Sequence, residues 1–190
     1  MARLIPADET GPSALDADVP TYIDRQLASP WGAGAGLYRS GPWQAGKPEQ
    51  GYQLPFTPAE LFRTALGGIT EDLRRANRGE FARLRAEDQD AYLRALEGES
   101  RDLNGVPSNV FFQSLLEMTI EGYFADPVYG GNKGMTAWSA IGFPGAYANY
   151  YELVDQHGIA FRRPPMSLAQ DATGTVHVHP PPARPMAPKP

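Results

Sequence analysis

The chain contains no cysteine in its 190 residues. That excludes disulfides, thiolate-ligated iron–sulfur clusters, covalent c-type haem attachment and a cysteine nucleophile. It leaves the compartment open, because a chain without thiols persists in either redox environment. No basic excess is present either: the net charge is −5 and the pI about 5.2. A mildly acidic protein has no electrostatic footprint for nucleic acid. A polybasic or strongly amphipathic segment that would hold an anionic membrane is also missing. No apolar run approaches the roughly 20 residues that span a bilayer. The first residues, Met1 to Glu9, have no apolar stretch and carry carboxylates from position 8 onward. They do not read as a signal peptide. The chain is therefore cytoplasmic, or an export signal preceded this numbering, or a partner carries the signal.

Glycine and proline are abundant. The 20 Gly and 19 Pro make up a fifth of the chain, against an ordinary share of roughly 12%. Much of the chain is expected to be irregular. Residues 1–17 read as an extended arm and residues 18–28 as a short helix through Tyr22, Ile23 and Leu27. Residues 29–56 hold six glycines and four prolines, with Trp31, Tyr38, Trp43 and Tyr52 scattered among them. A loop that long is unusual in a compact domain unless it is functional or packed on something. Its aromatics argue against simple disorder.

Thr57-Pro58-Ala59-Glu60 reads as a helix N-cap, a first-turn proline and a capping-box glutamate. Phe62, Ala65, Leu66, Ile69 and Leu73 follow on one helical face. Gly67-Gly68 weakens that helix unless a close helix–helix approach compensates, and Gly79 is placed to stop it. A second helix is expected over 86–97, packing through Ala91, Tyr92, Leu93 and Leu96 and ended by Gly98. The third, over 108–124, is apolar around about two-thirds of its circumference. It should form the spine of the core, with Ser114, Glu117 and Glu121 on the remaining strip. Residues 147–155 suggest one more short helix. From Pro164 onward 8 of 27 residues are proline, so that tail should be extended or polyproline-like. Only Thr175 to His179 hints at a strand. These expectations sum to a mainly α fold: a small helical domain over 1–163 with long Gly/Pro-rich loops, and an extended tail over 164–190.

Candidate chemistry is sparse. His177 and His179 would share a face of an extended segment, but no third metal ligand lies near them, and His157 stands alone. Asp8, Glu9, Asp16, Asp18 and Asp24 lack the spacing of a calcium loop and read as a solvated arm. Glu117 and Glu121 sit four apart on one strip without a nucleophile beside them. They read as a polar edge or an interface ion pair. Tyr129-Gly130-Gly131-Asn132-Lys133-Gly134 has glycines and a lysine, but neither the phosphate-loop nor the dinucleotide pattern. No nucleophile elbow is present.

The informative segment runs from Gly122 to Ala146. It combines an aromatic-rich helix end, Asp126-Pro127-Val128-Tyr129-Gly130-Gly131-Asn132, an apolar turn with Trp138, and Gly142-Phe143-Pro144-Gly145. This ordered pattern resembles the hallmark of the gluconate 2-dehydrogenase subunit 3 family. Weaker echoes upstream, such as Ile5-Pro6-Ala7-Asp8 and Tyr22-Ile23-Asp24-Arg25-Gln26-Leu27, extend the resemblance over most of residues 4–155. The resemblance implies a small, non-catalytic subunit of a membrane-associated dehydrogenase complex. In such complexes a large glucose–methanol–choline-type flavoprotein carries FAD and the substrate site. A multihaem cytochrome c subunit often passes electrons onward. The small subunit commonly carries a twin-arginine export signal and escorts the flavoprotein to the periplasm. This chain as numbered shows no such signal. The expectation is an accessory subunit with no catalytic site or cofactor of its own, serving an enzyme of sugars, glycosides or sugar acids and reaching the membrane only through the complex.

The motif residues Asp126, Pro127, Tyr129, Gly130, Gly131, Asn132, Trp138, Gly142, Phe143, Pro144 and Gly145 then have two readings. They contact the partner, or they set turns and fill the core. Loop tyrosines and tryptophans suit interfaces. Two other classes stay open. One is a self-sufficient enzyme using Asp126, Tyr129 or Asn132. The other is a carbohydrate-binding module using Trp31, Trp43 and Trp138 as stacking platforms.

Overall fold

The computed structural model describes residues 1–44, 46–146, 151–161, 163–170 and 175. The chain divides into two compact units. One runs from Gln26 to Glu117; the other joins Met1–Arg25 to the segment from Met118 onward. The fold is mainly α. The helices are α1 (Val19–Ala28), α2 (Pro58–Arg75), α3 (Ala86–Gly98), α4 (Ser108–Phe124) and α5 (Thr136–Ile141). A two-residue hairpin, β1 (Asp102–Leu103) and β2 (Val106–Pro107), precedes α4. No helix among the described residues is long and apolar enough to cross a membrane.

In the unit Gln26–Glu117, α2 starts as its sequence dictates. The Thr57 hydroxyl accepts from the Glu60 N–H at 3.2 Å. The Glu60 carboxylate accepts from the Thr57 N–H at 2.8 Å, so both halves of the capping box are made. These bonds hold the Glu60 carboxyl below its ordinary pKa. The buried stripe is Leu61, Phe62, Ala65, Gly68, Ile69 and Leu73, while Leu66 is 52% exposed. The stripe is thus rotated from the expected one, and Gly68 shows why. A Cβ on Gly68 would sit 2.9 Å from the Leu103 backbone, so this glycine admits β1 rather than another helix. Gly67 is exposed. The hairpin turns through Asn104 (φ 57°) and Gly105 (φ 94°), the Asn-Gly pair that suits a two-residue turn.

Helix α2 also ends earlier than Gly79. Asn77 takes a left-handed conformation, and the Arg78 N–H returns to the Leu73 carbonyl at 3.0 Å. Helix α3 docks through Tyr92, whose hydroxyl donates to Asp72 at 2.8 Å. Burial first, and then that bond to Asp72, push the Tyr92 phenol upward. Phe62 meets Phe111 of α4 edge-on, with ring centroids 5.4 Å apart.

In the other unit, residues 1–17 are not an extended arm. They form turns closed by bonds such as Ala14 N–H to the Ile5 carbonyl at 3.0 Å. Ala14 and Ala17 are fully buried. The acidic side chains make these turns: Asp8 accepts from Thr10 N–H at 2.8 Å and Asp16 from Ser13 N–H at 3.1 Å. The Tyr123 hydroxyl pins this segment by donating to the Pro12 carbonyl at 2.7 Å.

Helix α4 is less enclosed than its composition suggests. Phe111, Phe112, Met118 and Tyr123 are buried, but Ile120 (46%) and Phe124 (40%) are exposed. Fully buried Thr119 takes part of the space an apolar residue was expected to fill. Residues 151–153 form only a 3-10 turn; residues 147–150, and all of 175–179 except Thr175, lie outside the described residues.

Candidate functional site

The family-like segment lies wholly in the unit that holds both chain ends. It is built around Asn132, which is fully buried. The backbone there is left-handed, with φ 39° and ψ 42°, a conformation asparagine tolerates better than most residues. Its side-chain N–H donates to the Ala125 carbonyl at 3.0 Å. Its side-chain oxygen accepts from the Ala137 N–H, also at 3.0 Å. One amide thereby joins the end of α4 to the start of α5.

The glycines before it are required by close approach. A Cβ on Gly131 would lie 2.1 Å from the Gly122 carbonyl oxygen, and φ there is +71°. A Cβ on Gly122 would lie 2.7 Å from the Tyr22 ring, so α1 packs directly on the α4 backbone. The Tyr22 hydroxyl donates to Glu121 at 3.3 Å. Burial first, and then the Glu121 charge, push its phenol up to about 12.

Asp126 caps the 3-10 turn Pro127–Tyr129 by accepting from Val128 N–H at 3.0 Å. It also accepts from the Ser167 hydroxyl at 2.5 Å and from Leu168 N–H at 2.8 Å. Pro127 is buried under this turn. Beyond α5, Gly142 ends the helix at φ 71°, and the Phe143 ring packs edge-on against Trp138 at 5.2 Å. Trp138 is buried, and its indole N–H donates to the Phe124 carbonyl at 2.8 Å. Met166 then pairs in parallel with Gly145. Its N–H reaches the Pro144 carbonyl at 3.1 Å, and its carbonyl accepts from Ala146 N–H at 2.7 Å. The first residues after Pro164 are therefore extended, and they strap the Gly-Phe-Pro-Gly turn.

The structure brings Asp126, Asn132, Trp138 and Gly145 into one hydrogen-bonded assembly. Their polar groups are committed to backbone partners or to Ser167. Tyr129 (53% exposed), Ile141 (62%) and Phe143 (46%) instead turn apolar surface outward. Met166 and Ser167 were invisible as part of this site, because their partners Gly145 and Asp126 lie far upstream in the chain and no local pattern links them.

The other candidates are dispersed. Glu117 accepts from Gln113 at 2.8 Å. Asp18 accepts from the Thr21 hydroxyl at 2.8 Å. Among the described residues no group of three potential metal ligands occurs. His157 is exposed, while His177 and His179 lie outside the described residues. Trp138 is unavailable as a stacking platform, whereas Trp31 and Trp43 are 46% and 43% exposed.

Comparison with known proteins gives one result. No curated protein and no solved structure matches the chain significantly. The profile of the family gluconate 2-dehydrogenase subunit 3 matches residues 1–145, the span that carries the assembly around Asn132. The chain belongs to the gluconate 2-dehydrogenase subunit 3 family.

Proposed function

We propose that this chain is the accessory small subunit of an FAD-dependent dehydrogenase complex of the glucose–methanol–choline type, acting on a sugar, glycoside or sugar acid. Family membership supplies the coarser statement, that it is a subunit of a multi-subunit oxidoreductase. In this reading the large subunit holds FAD and the substrate. This chain stabilises that subunit and escorts it to the periplasm, and a multihaem cytochrome c subunit carries electrons away. Contact with the membrane is made by the complex.

The observation that carries the reading is the division of labour in the motif. Catalysis needs a base, acid or nucleophile that is free to exchange protons or bonds with a substrate. The Asp126 carboxylate accepts three hydrogen bonds, and the Asn132 amide is bonded at both ends within the core. What the motif turns outward includes three large side chains, Tyr129, Ile141 and Phe143, beside the polar Lys133, Thr136 and Ser139. Exposed aromatic and aliphatic anchors on a rigid base are what a protein partner buries.

The test is to express a glucose–methanol–choline-type flavoprotein from the same genome with and without this chain. The proposal expects soluble, yellow, active flavoprotein to depend on co-expression. Equal yield and equal specific activity in both cultures would sink it.

A further inference from the structure

The unit Gln26–Glu117 carries a cavity of about 330 Å³ formed by the loop of residues 37–56. Its volume falls at the lower end of the range for small-molecule pockets, about 300–1,000 Å³. Four rings line it, those of Tyr38, Trp43, Tyr52 and Phe56. Two of them are held by the loop itself. The Tyr52 hydroxyl donates to the Phe56 carbonyl at 2.7 Å, and the Trp43 ring packs on Gly41, where an added Cβ would lie 3.4 Å from it. The loop is closed underneath by its glutamines. The side-chain oxygens of Gln50 and Gln53 accept from the N–H groups of Lys47 and Gly46, at 2.6 and 2.5 Å.

The remaining polar groups of the wall are mixed in kind. Arg39, Ser40 and Gln44 line it beside Gln50. The hydroxyls of Tyr38 and Ser40, the Gln44 amide and the Trp43 indole N–H have no hydrogen-bond partner among the described residues. Hydroxyls and amides both donate and accept, whereas the indole only donates. Net charge is nearly absent. No described lining residue is a carboxylate, and the Arg39 guanidinium is offset by Glu60 at 3.4 Å.

This chemistry narrows the ligand. An anion or a cation finds no uncompensated opposite charge. A purely apolar ligand would cover the free polar groups without partnering them, at about 1–3 kcal/mol each. A neutral polyol ring satisfies both demands. Each of its hydroxyls donates and accepts, and its polarised C–H bonds lie well on the negative face of an aromatic ring. We propose that this cavity binds a short neutral saccharide, with Tyr38 and Trp43 stacking on the ring and Ser40, Gln44 and Gln50 exchanging hydrogen bonds with its hydroxyls. The inference rests on the loop alone and is independent of the flavoprotein reading.

Isothermal titration calorimetry on the isolated full chain tests it, with no flavoprotein present, so that neither reading falls with the other. Glucose or its disaccharide cellobiose should bind saturably. Trp43→Ala and Tyr38→Ala should each weaken binding by about tenfold or more, the effect of losing an aromatic anchor. Trp43→Phe, which keeps a stacking face, should restore most of the affinity. Far-UV circular dichroism should be unchanged in all three variants, since both rings are exposed. No saturable binding of either sugar overturns the proposal, and so does binding indifferent to both alanine variants. Gluconate binding tenfold more tightly than glucose would make the cavity an anion site through Arg39, and adenosine binding more tightly than either sugar would make it a base-stacking site; each result equally overturns the proposal.

Discussion

Two stretches of this chain look alike in composition and behave differently. Residues 29–56 and 125–146 are both rich in glycine, proline and large aromatics. In the second, Trp138 and Asn132 are buried and bonded, and glycines sit where a Cβ would strike backbone. In the first, Trp31, Tyr38, Trp43 and Tyr52 are 46, 81, 43 and 45% exposed. The difference lies in what each stretch has to close upon. Residues 125–146 fold back onto the end of α4: the Phe124 carbonyl accepts from the Trp138 indole N–H, the Ala125 carbonyl just beyond it accepts from the Asn132 amide, and Gly131 packs closely against the Gly122 carbonyl. Residues 37–56 close mostly on themselves, through bonds such as Gln53 to Gly46 and Tyr52 to Phe56. A carbonyl row at a helix end is a strong organiser because its unsatisfied acceptors need partners. A loop without one leaves its aromatics to solvent or to a partner.

That comparison can be broken by substitution. The largest effect is expected at the glycine–asparagine pair. Gly131→Ala drives a Cβ onto the Gly122 carbonyl at a positive φ and should cost about 4 kcal/mol or more, in the range reserved for severe core defects. Asn132→Ala strands the Ala137 N–H and the Ala125 carbonyl, at about 1–3 kcal/mol for each buried group. Chemical denaturation measures both, and midpoints near wild type would refute the structural role assigned here. Next comes Trp138→Phe, which keeps the ring but loses the bond to the Phe124 carbonyl. It should cost about 1–3 kcal/mol by the same reasoning.

A smaller effect belongs to the capping box. Thr57→Ala should cost about 1 kcal/mol. The Glu60 half of the box is pH-dependent with a defined sign. Its folded pKa is depressed by the hydrogen bonds from Thr57, so its stabilisation is present above the ordinary value of 4.5 and is lost as pH falls through the lower folded value. The stability gap between wild type and Glu60→Gln should therefore close on acidification. A gap that widened instead would contradict the box. The smallest effect is expected in the exposed loop, where Trp43→Ala should change stability by no more than about 0.5 kcal/mol. A large loss there would erase the contrast between the two stretches.

The helices were legible in the sequence wherever local chemistry decides them. Thr57-Pro58-Ala59-Glu60 announces the start of α2, and the apolar run from Phe111 announces α4. The hairpin was not expected: Asn104-Gly105 is a turn pair, but two-residue strands are too short to show an alternation. What stayed hidden was tertiary. The stripe on α2 turns toward Gly68 because β1 arrives there, which no property of α2 encodes. Residues 1–17 look like an arm because their carboxylates suggest solvation, yet Asp8 and Asp16 serve as turn acceptors. At the site, the segment from Asp126 to Gly145 could be recognised as a unit, but not the strap formed by Met166 and Ser167. Nor could the sequence tell which motif residues turn inward. Asn132 is the clearest case, since a polar residue between glycine and lysine reads as surface until its two backbone partners are known.

The central claim is that this chain serves a flavoprotein rather than catalysing alone. Its most direct test is to purify the tagged chain, co-expressed with a glucose–methanol–choline-type flavoprotein from the same genome, and to record mass and visible absorption. The account predicts an equimolar complex with the flavin band of the large subunit. It further predicts that the double change Ile141→Glu, Phe143→Glu releases the partner while helical content is retained. A tagged chain that emerges alone and colourless, at wild-type sequence and with the flavoprotein present in the lysate, would contradict it.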